Sequence, residues 1–186
     1  MKLTDQEYES IKQEVIDILA RYDIRCTPIS GFEIAQKMGI IVMPYSALTK
    51  KQRQAVEEIS SDGCYMEPGD GREYIIYNDT EGYARSNMTL LHEIGHCVLG
   101  HDDDTDPALA EAEANFFAKY IIAPPPLIHQ IKPTCPEDIQ KYFCVSHQAA
   151  CNALNYYHKW LCYGGVNYTT YELVLLHQFQ IAVYRG

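Results

Sequence analysis

The sequence predicts an α+β fold that is mostly helical, with a small antiparallel sheet or hairpin. Three observations predict it. Several stretches repeat apolar residues at helical spacing, beginning with residues 5–22. Two short runs of strand-like composition, 64–67 and 73–78, flank a turn rich in glycine. The segment LLHEIGHCVLGH at residues 90–101 has the pattern of a helix, and a second helix carrying glutamates follows it, so we expect these two helices to pack together.

The N-terminal part of the chain predicts two helices. Thr4 is a suitable N-cap with Glu7 three residues later, and apolar residues then recur at helical spacing over 5–22. A second, shorter helix is predicted over 28–38, because Gly39 stands where a left-handed residue would end it. Each of these helices has one apolar face, which we expect to pack on the core.

The next part of the chain predicts the sheet. Residues 40–45 form a short predicted strand, and the charged residues 50–58 predict an exposed helical turn or loop. The runs 64–67 and 73–78 surround Pro68-Gly69-Asp70-Gly71, a turn composition that predicts a β-hairpin. The hairpin is a candidate to offer an edge strand on which an extended peptide could be bound by main-chain hydrogen bonds, and substitutions along 73–78 would test this.

A predicted helix over 83–100 carries the motif His-Glu-x-x-His. His92 and His96 stand at positions i and i+4, so both imidazoles lie on one helix face and can bind one zinc ion. Glu93 reaches the same rim, where it can take a proton from the attacking water. Gly95 leaves a bare position between the histidines. Because a mid-helix glycine costs about 1 kcal/mol relative to alanine, we expect a packing partner or a substrate to approach closely there.

The following helix, over 107–123, carries two glutamates on different faces. Asp106 is its predicted N-cap, with a proline directly after it. The residues that share an apolar, inward face with Glu113 are Phe116, Phe117 and Tyr120. A lone buried carboxylate is costly unless it is paired or bound to a metal, so Glu113 is the predicted third zinc ligand. Glu111 falls on the polar face, which we expect to be solvated.

Other residues near the motif offer alternatives. His101 is an alternative third ligand, but it lies nine residues after His92, whereas the three-histidine pattern of another class of zinc protease places its last histidine ten residues on. Cys97 is turned away from the metal, and we expect a buried thiol. The acidic run 102–106 resembles a site for a hard cation, although a solvated loop is the expected reading. No sequence feature selects a group that stabilises the oxyanion.

The last third of the chain begins with three consecutive prolines at 124–126, which cannot continue a helix. Two short helices are then predicted over 136–143 and 146–154. Their arrangement is similar to a helix-turn-helix, but no basic recognition face accompanies it. The chain from residue 156 is rich in tyrosine, and the apolar stretch at 171–184 fits either a helix or a strand.

Composition excludes some functions. The chain of 186 residues has 15 Lys and Arg against 25 Asp and Glu, a net charge of −10, which argues against direct binding of nucleic acid. Seven cysteines without a Cys-x-x-Cys pair predict reduced, mostly buried thiols. No apolar segment has the length of a signal peptide core or of a membrane span, so we expect a cytoplasmic protein that does not bind a membrane.

The combination ARSNMTLLHEIGHCVLGH and EAEANFFAKYIIAP resembles the ImmA/IrrE family of zinc metallopeptidases. The matching residues are Thr89, His92, Glu93, Gly95, His96, Gly100, His101, Glu113, Ala114, Asn115, Phe117, Ala118 and Pro124. The resemblance extends to FCVSHQAACNAL and implies zinc bound by His92, His96 and Glu113, with Glu93 as general base. It also implies a protein substrate, a helix-turn-helix transcriptional repressor whose cleavage relieves repression in mobile elements or under stress.

The sequence therefore predicts a zincin-like metallopeptidase domain over 1–155, which includes the helix-turn-helix-like segment at 136–154. Residues 156–186 are predicted to be an extension, to which no role can be assigned. The predicted activity is hydrolysis of a peptide bond by a zinc-dependent endopeptidase. The alternative is a module that sequesters a repressor without cutting it and uses the metal only to hold two helices together. The sequence does not indicate an oligomeric state.

Overall fold

The computed structural model describes residues 2–69, 71–102, 104–164 and 166–181. Within these residues the protein is mostly helical with one small three-stranded sheet, which confirms the predicted fold class. In chain order the helices are α1 (Asp5–Arg21), α2 (Gly31–Met38), α3 (Lys50–Ile59), α4 (Tyr83–Val98), α5 (Pro107–Ile122), α6 (Pro125–Ile131), α7 (Pro136–Phe143), α8 (His147–Cys162) and α9 (Thr170–Gln178). The chain divides into two compact units. Of the described residues, the first contains 2–3 and Ser30–Ala118, and the second contains Thr4–Ile29 and those from Lys119 to Ile181.

The sheet of the first unit has the strand order β1-β3-β2, with β1 at Ile41–Pro44, β2 at Gly63–Met66 and β3 at Tyr74–Tyr77. β2 and β3 pair antiparallel, so the predicted hairpin is confirmed. Asp70 of its turn lies outside the described residues. β1 pairs parallel with β3, which makes the sheet mixed rather than purely antiparallel. β3 lies in the centre of the sheet, so residues 73–78 are not an edge, and β2 is the strand of the hairpin that forms one.

The segment predicted as a helical turn or loop at 50–58 is a regular helix, α3. Thr49 caps it through a capping box with Gln52, in which each side chain bonds the other residue's backbone N–H. A single buried residue, Val56, anchors it to a small core beside β2. The sequence did not predict a regular helix here because most of its residues are exposed and charged or polar, so no apolar stripe marks the helical period.

Helix α4 is held by close contacts to α2 and α5. The Gly31 backbone N–H donates to Asn87 Oδ1 at 2.7 Å in a buried position, and a Cβ on Gly31 would lie 2.9 Å from Leu90 Cβ. A Cβ on Gly95 would lie 3.1 Å from Phe117 Cδ1 and 3.3 Å from Ala114 Cα on α5. Of the two reasons predicted for the glycine in the motif, the structure therefore supports helix packing.

The second unit is built from α1 and the helices after α5. α7 packs on α8, and α9 packs on α1 and α6. The buried Glu172 accepts hydrogen bonds from Trp160 Nε1 at 2.7 Å and from the Thr169 N–H at 2.8 Å. The apolar stretch that fitted a helix or a strand is thus helical over α9, and its residues 182–184 lie outside the described residues.

The predicted helices at 136–143 and 146–154 correspond to α7 and α8, and α8 runs on to Cys162. It passes residue 155 without a break, and the division of the chain there stays a prediction. The cysteines are free, but only Cys64 is buried, so the expectation of mostly buried thiols is wrong. No helix in the described part of the chain combines the length and hydrophobicity that crossing a bilayer requires.

Candidate metal centre

Two histidines of α4 face each other across one helical turn. His92 Nε2 and His96 Nε2 lie 3.1 Å apart, with the rings nearly perpendicular, as i and i+4 side chains on one face allow. Both side chains are about one-fifth exposed. Two imidazole nitrogens that point at one another need a proton or a cation between them, because two lone pairs repel. The pair is therefore arranged for a shared positive partner.

Glu111 of α5 completes this group. One of its carboxylate oxygens lies 3.6 Å from His92 Nε2 and the other lies 3.4 Å from His96 Nε2. The ligand atoms of the three residues all lie within 4.8 Å of one another. Zinc bonds of about 2.0–2.2 Å at tetrahedral angles separate ligand atoms by roughly 3.3–3.5 Å, so this donor set fits a single zinc ion.

The structure does not bring Glu113 into the group. Glu113 Oε2 instead lies 2.9 Å from His101 Nε2, and the two side chains are 18% and 7% exposed. Residues two positions apart on a helix point about 200° away from each other around its axis, so Glu111 and Glu113 cannot both face the histidine pair. Glu111 has the solvated position, with its side chain 61% exposed, and the metal site opens to solvent. The role of Glu113 as a ligand remains a prediction from sequence, and the geometry favours Glu111.

His101, the alternative ligand, has both ring nitrogens in other contacts. Its Nδ1 lies 2.9 Å from His96 Nδ1, and its Nε2 faces Glu113. It therefore touches the side of the His96 ring that points away from His92. The structure places His101 behind the candidate ligand rather than beside it.

Glu93 is buried next to the histidine pair, with 8% of its surface exposed. Its Oε2 accepts a hydrogen bond of 2.9 Å from the backbone N–H of Tyr65 on β2. Burial raises the pKa of Glu93 to about 7, and the negative charges of Glu111 and Asp62 add to the effect, whereas the Tyr65 N–H opposes it. A carboxylate with a pKa near neutrality is suited to accept and return a proton.

The electrostatics of His96 favour its neutral form. Burial is the largest cause that lowers the pKa of His96, to about 4, and the neighbouring His92 and His101 act in the same direction. A neutral imidazole keeps the nitrogen lone pair that a metal ion requires. His96 is thus ready to bind a cation at neutral pH.

The site opens on a cavity of about 880 Å³ within the first unit. One wall is the edge strand β2 with residues before it, and the other walls are α4 and α5. Asp102 and Thr105, from the acidic run at 102–106, also line the cavity. Asp102 accepts from the Asp104 N–H and the Thr105 hydroxyl, and Asp106 caps α5 by accepting from the Leu109 N–H at 2.8 Å. This part of the acidic loop is hydrogen-bonded to itself, as the solvated-loop reading expects, and Asp103 lies outside the described residues.

The sequence profile of the IrrE N-terminal-like domain, peptidase family M78, matches residues 35–155. The chain belongs to this family. A comparison with curated proteins gave no match. The span matched by the M78 profile contains α4, α5 and β2, and so includes every residue of the candidate metal centre. Membership confirms the resemblance drawn from the two motifs, and the candidate site of this M78 peptidase domain is a His-His-Glu group.

Sequence reasoning missed two contributors to the site. Glu111 was assigned to the solvated face, and that face is the one turned to the cavity. Tyr65 was assigned only to a strand. No local sequence pattern predicts that its backbone N–H donates to the side chain of Glu93, 28 residues later in the chain. A signal for Glu111 was present in its position on the polar face of the helix. A catalytic metal must be reached by water and substrate, so its ligands can lie on a face that is open to solvent.

Proposed function

We propose that the protein is a zinc-dependent endopeptidase whose ligands are His92, His96 and Glu111 and whose general base is Glu93. The observation that carries the proposal is the convergence of two imidazole nitrogens and one carboxylate beside a buried carboxyl group, in an open cavity. Three protein ligands leave a fourth position open, as in catalytic rather than structural zinc sites. Zinc, when bound, would supply Lewis acidity that polarises the scissile carbonyl and makes water a better nucleophile.

Glu93 would move the proton. One of its oxygens, Oε2, is held by the Tyr65 N–H, which fixes the carboxyl plane. The other oxygen can accept the proton of the attacking water, because a base with a pKa of about 7 is ionised in about half of the molecules at neutral pH. The same carboxyl group would then give that proton to the leaving amine. Glu93 thus serves as base in the first step and as acid in the second.

The edge strand β2 is suited to hold an extended peptide. The Asn78 N–H donates to the Asp62 carbonyl, so the main-chain groups of Gly63 and Tyr65 face away from β3. The N–H of Gly63 bonds Ser60 Oγ and that of Tyr65 bonds Glu93 Oε2, so their carbonyls are the groups that a peptide N–H could reach. Because the Tyr65 N–H also bonds Glu93, a peptide added to β2 would lie beside the base.

Amide hydrogen exchange tests peptide binding to β2 in Glu93→Gln loaded with zinc. A bound peptide should slow exchange along β2 and leave exchange along the other edge strand, β1, unchanged. Equal protection of both edges, or of neither, would count against it.

We propose that the substrate is a transcriptional repressor with a helix-turn-helix domain, cleaved in the cytoplasm to relieve repression in mobile elements or under stress. Two features support this choice. The motifs are those of the M78 family, for which such a substrate was the expectation from sequence. The net charge of −10 also complements a DNA-binding domain, which carries basic residues for its phosphate contacts.

Elemental analysis tests the metal and its ligands. Wild-type protein purified without chelator should carry one zinc per chain. Glu111→Ala should lose it, whereas Glu137→Ala, which removes an exposed carboxylate beside a different histidine, should keep it. Wild type that carries no zinc and cannot be loaded with it would overturn the proposal.

Cleavage separates the proposed enzyme from the alternative, a module that sequesters a repressor without cutting it. A purified repressor incubated with zinc-loaded wild type should be cut, and Glu93→Gln should keep its zinc and cut several orders of magnitude more slowly. A stable complex in which the repressor stays intact, with wild type and Glu93→Gln alike, would favour sequestration.

A further inference from the structure

Behind the candidate ligand His96 lies a row of two further side chains. His96 Nδ1 is 2.9 Å from His101 Nδ1, and His101 Nε2 is 2.9 Å from Glu113 Oε2. His101 is almost fully buried, and Glu113 is mostly buried. The row begins on α4, passes through the turn after it and ends on α5, so it connects both helices that carry the candidate ligands.

The turn after α4 is built to return His101 to His96. Gly100 has a left-handed φ of 70°, which only glycine adopts freely. The Gly100 N–H bonds to the Cys97 carbonyl, and the His101 N–H bonds to the His96 carbonyl. This pair of bonds is a Schellman motif. In such a motif the residue that follows the left-handed glycine usually makes an apolar contact with a residue in the last turn of the helix, and these two positions are His101 and His96 here. Here the contact is between two imidazoles, so the helix end places a polar group against the ring of a candidate ligand.

The chemistry of the row fixes the positions of its protons. A carboxylate oxygen accepts from an imidazole N–H, so His101 Nε2 is the donor in its contact with Glu113 Oε2. With the proton of His101 at Nε2, its Nδ1 accepts, and His96 donates from its own Nδ1. The proton on His96 therefore sits at Nδ1, and the lone pair sits at Nε2, the atom that faces His92 and Glu111.

We propose that Glu113 and His101 are positioning residues that hold His96 in the Nδ1–H tautomer and in the orientation needed to bind the metal. The role rests on the proposed metal site, although neither residue touches the metal or the substrate. In zinc proteins a ligand histidine typically donates its second ring N–H to a fixed acceptor, and loss of that acceptor weakens metal binding by about 10- to 100-fold. In this chain the acceptor is a second histidine, itself fixed by a carboxylate.

Two measurements test the role of Glu113. Glu113→Leu removes the acceptor but keeps the approximate shape of the side chain, and Glu113→Gln restores a neutral acceptor. By chelator competition, Glu113→Leu should bind zinc about 10- to 100-fold more weakly than wild type, and Glu113→Gln should fall between the two. In the metal-free protein, ¹⁵N NMR should report the Nδ1–H tautomer of His96 in wild type and a mixture of tautomers in Glu113→Leu.

The matched control is Glu137→Leu, since Glu137 also lies near a histidine, His147, at 3.6 Å, but on exposed surfaces of α7 and α8. It should change neither zinc affinity nor the His96 tautomer. A second variant, His101→Phe, keeps a ring and removes both nitrogens, and it guards against misfolding of any one variant. Because His101 and Glu113 act in series, the double variant His101→Phe/Glu113→Leu should bind zinc no more weakly than the weaker single variant.

Unchanged zinc affinity and an unchanged His96 tautomer in Glu113→Leu and His101→Phe would overturn the positioning role. Failure of the proposed function gives a different result, because wild type itself would then bind no zinc. In that case the tautomer of the metal-free protein still decides: a loss of the Nδ1–H form in Glu113→Leu supports the positioning role, and its retention overturns it.

Discussion

At the scale of single residues, Glu93 is placed where its ionisation opposes folding. Its pKa in the metal-free protein is raised from 4.5 to about 7, mainly by burial, so the folded state favours the protonated carboxyl group. A group with a raised pKa contributes stability that is fully present below its unfolded pKa and is lost as the pH rises through the folded pKa. The metal-free protein should therefore lose stability between pH 4.5 and about 7.

Glu93→Gln should remove this pH dependence. The amide cannot ionise, so metal-free Glu93→Gln should be more stable than wild type at pH 8, by at most about 3 kcal/mol, and similar to it at pH 4.5. Urea unfolding of metal-free protein at the two pH values measures the difference. Glu137→Gln, which changes an exposed carboxylate, is the control and should follow wild type. If the free energy of unfolding depends on pH in the same way for Glu93→Gln and wild type, burial does not raise the pKa of Glu93 as expected.

The two glutamates of α5 show what sequence could and could not predict at this scale. The helical period correctly put Glu111 and Glu113 on different faces and made Glu113 the buried one. The step from burial to metal binding stays a prediction for Glu113, because a buried carboxylate can be satisfied by a histidine as well as by a metal ion. The sequence pattern predicts which face of the helix each glutamate occupies, but it does not predict which histidine or metal ion the carboxylate contacts.

At the scale of elements, local signals predicted helices and strands better than their partners. The His-Glu-x-x-His helix, its neighbour and the hairpin all follow from spacing, capping and turn residues that lie close together in the chain. β1 is different, because its four residues pair in parallel with β3, more than 25 positions later, and nothing between them announces the pairing. α3 could have been predicted from Thr49 and Gln52, since the capping box is local, but its single buried residue left no apolar stripe.

The contact between α4 and α5 gives a prediction at this scale. Gly95→Ala should gain about 1 kcal/mol of helix propensity but place a methyl group 3.1 Å from Phe117 and 3.3 Å from the backbone of Ala114. Overpacking against a neighbouring helix backbone typically costs about 1–3 kcal/mol, so we expect net destabilisation. The helices should also separate slightly, which moves Glu111 away from the histidines and weakens zinc binding.

Urea unfolding and zinc competition of Gly95→Ala measure both effects. Gly69→Ala is unsuitable as a control, because that glycine has a left-handed φ of 82° and its replacement is strained for another reason. Ser86→Ala, in the same helix and also small and buried, tests whether any change in α4 has the same result. Greater stability of Gly95→Ala, with zinc affinity unchanged, would mean that α5 can yield without disturbing the site.

At the scale of the whole molecule, the excess of acidic residues affects the rate at which charged substrates approach the protein. A net charge of −10 creates a negative potential that extends beyond contact distance at low salt, and the cavity beside the metal centre has Asp62, Glu93, Asp102 and Glu111 on its walls. Such a field speeds the approach of a basic protein and slows that of an acidic one. Neither effect needs a particular residue to touch the substrate.

The charge predicts that cleavage of a basic repressor depends on ionic strength. Raising salt from about 0.05 to 0.5 M shortens the Debye length from roughly 14 to 4 Å, so kcat/KM for the repressor should fall by about tenfold or more as steering is lost. A short uncharged peptide containing the same scissile bond is the matched control, and its kcat/KM should change little. If both substrates respond to salt alike, the ions act on the enzyme itself. If neither responds, the negative field of the chain has no part in choosing the substrate, and selectivity must come from contacts along β2 and the cavity walls.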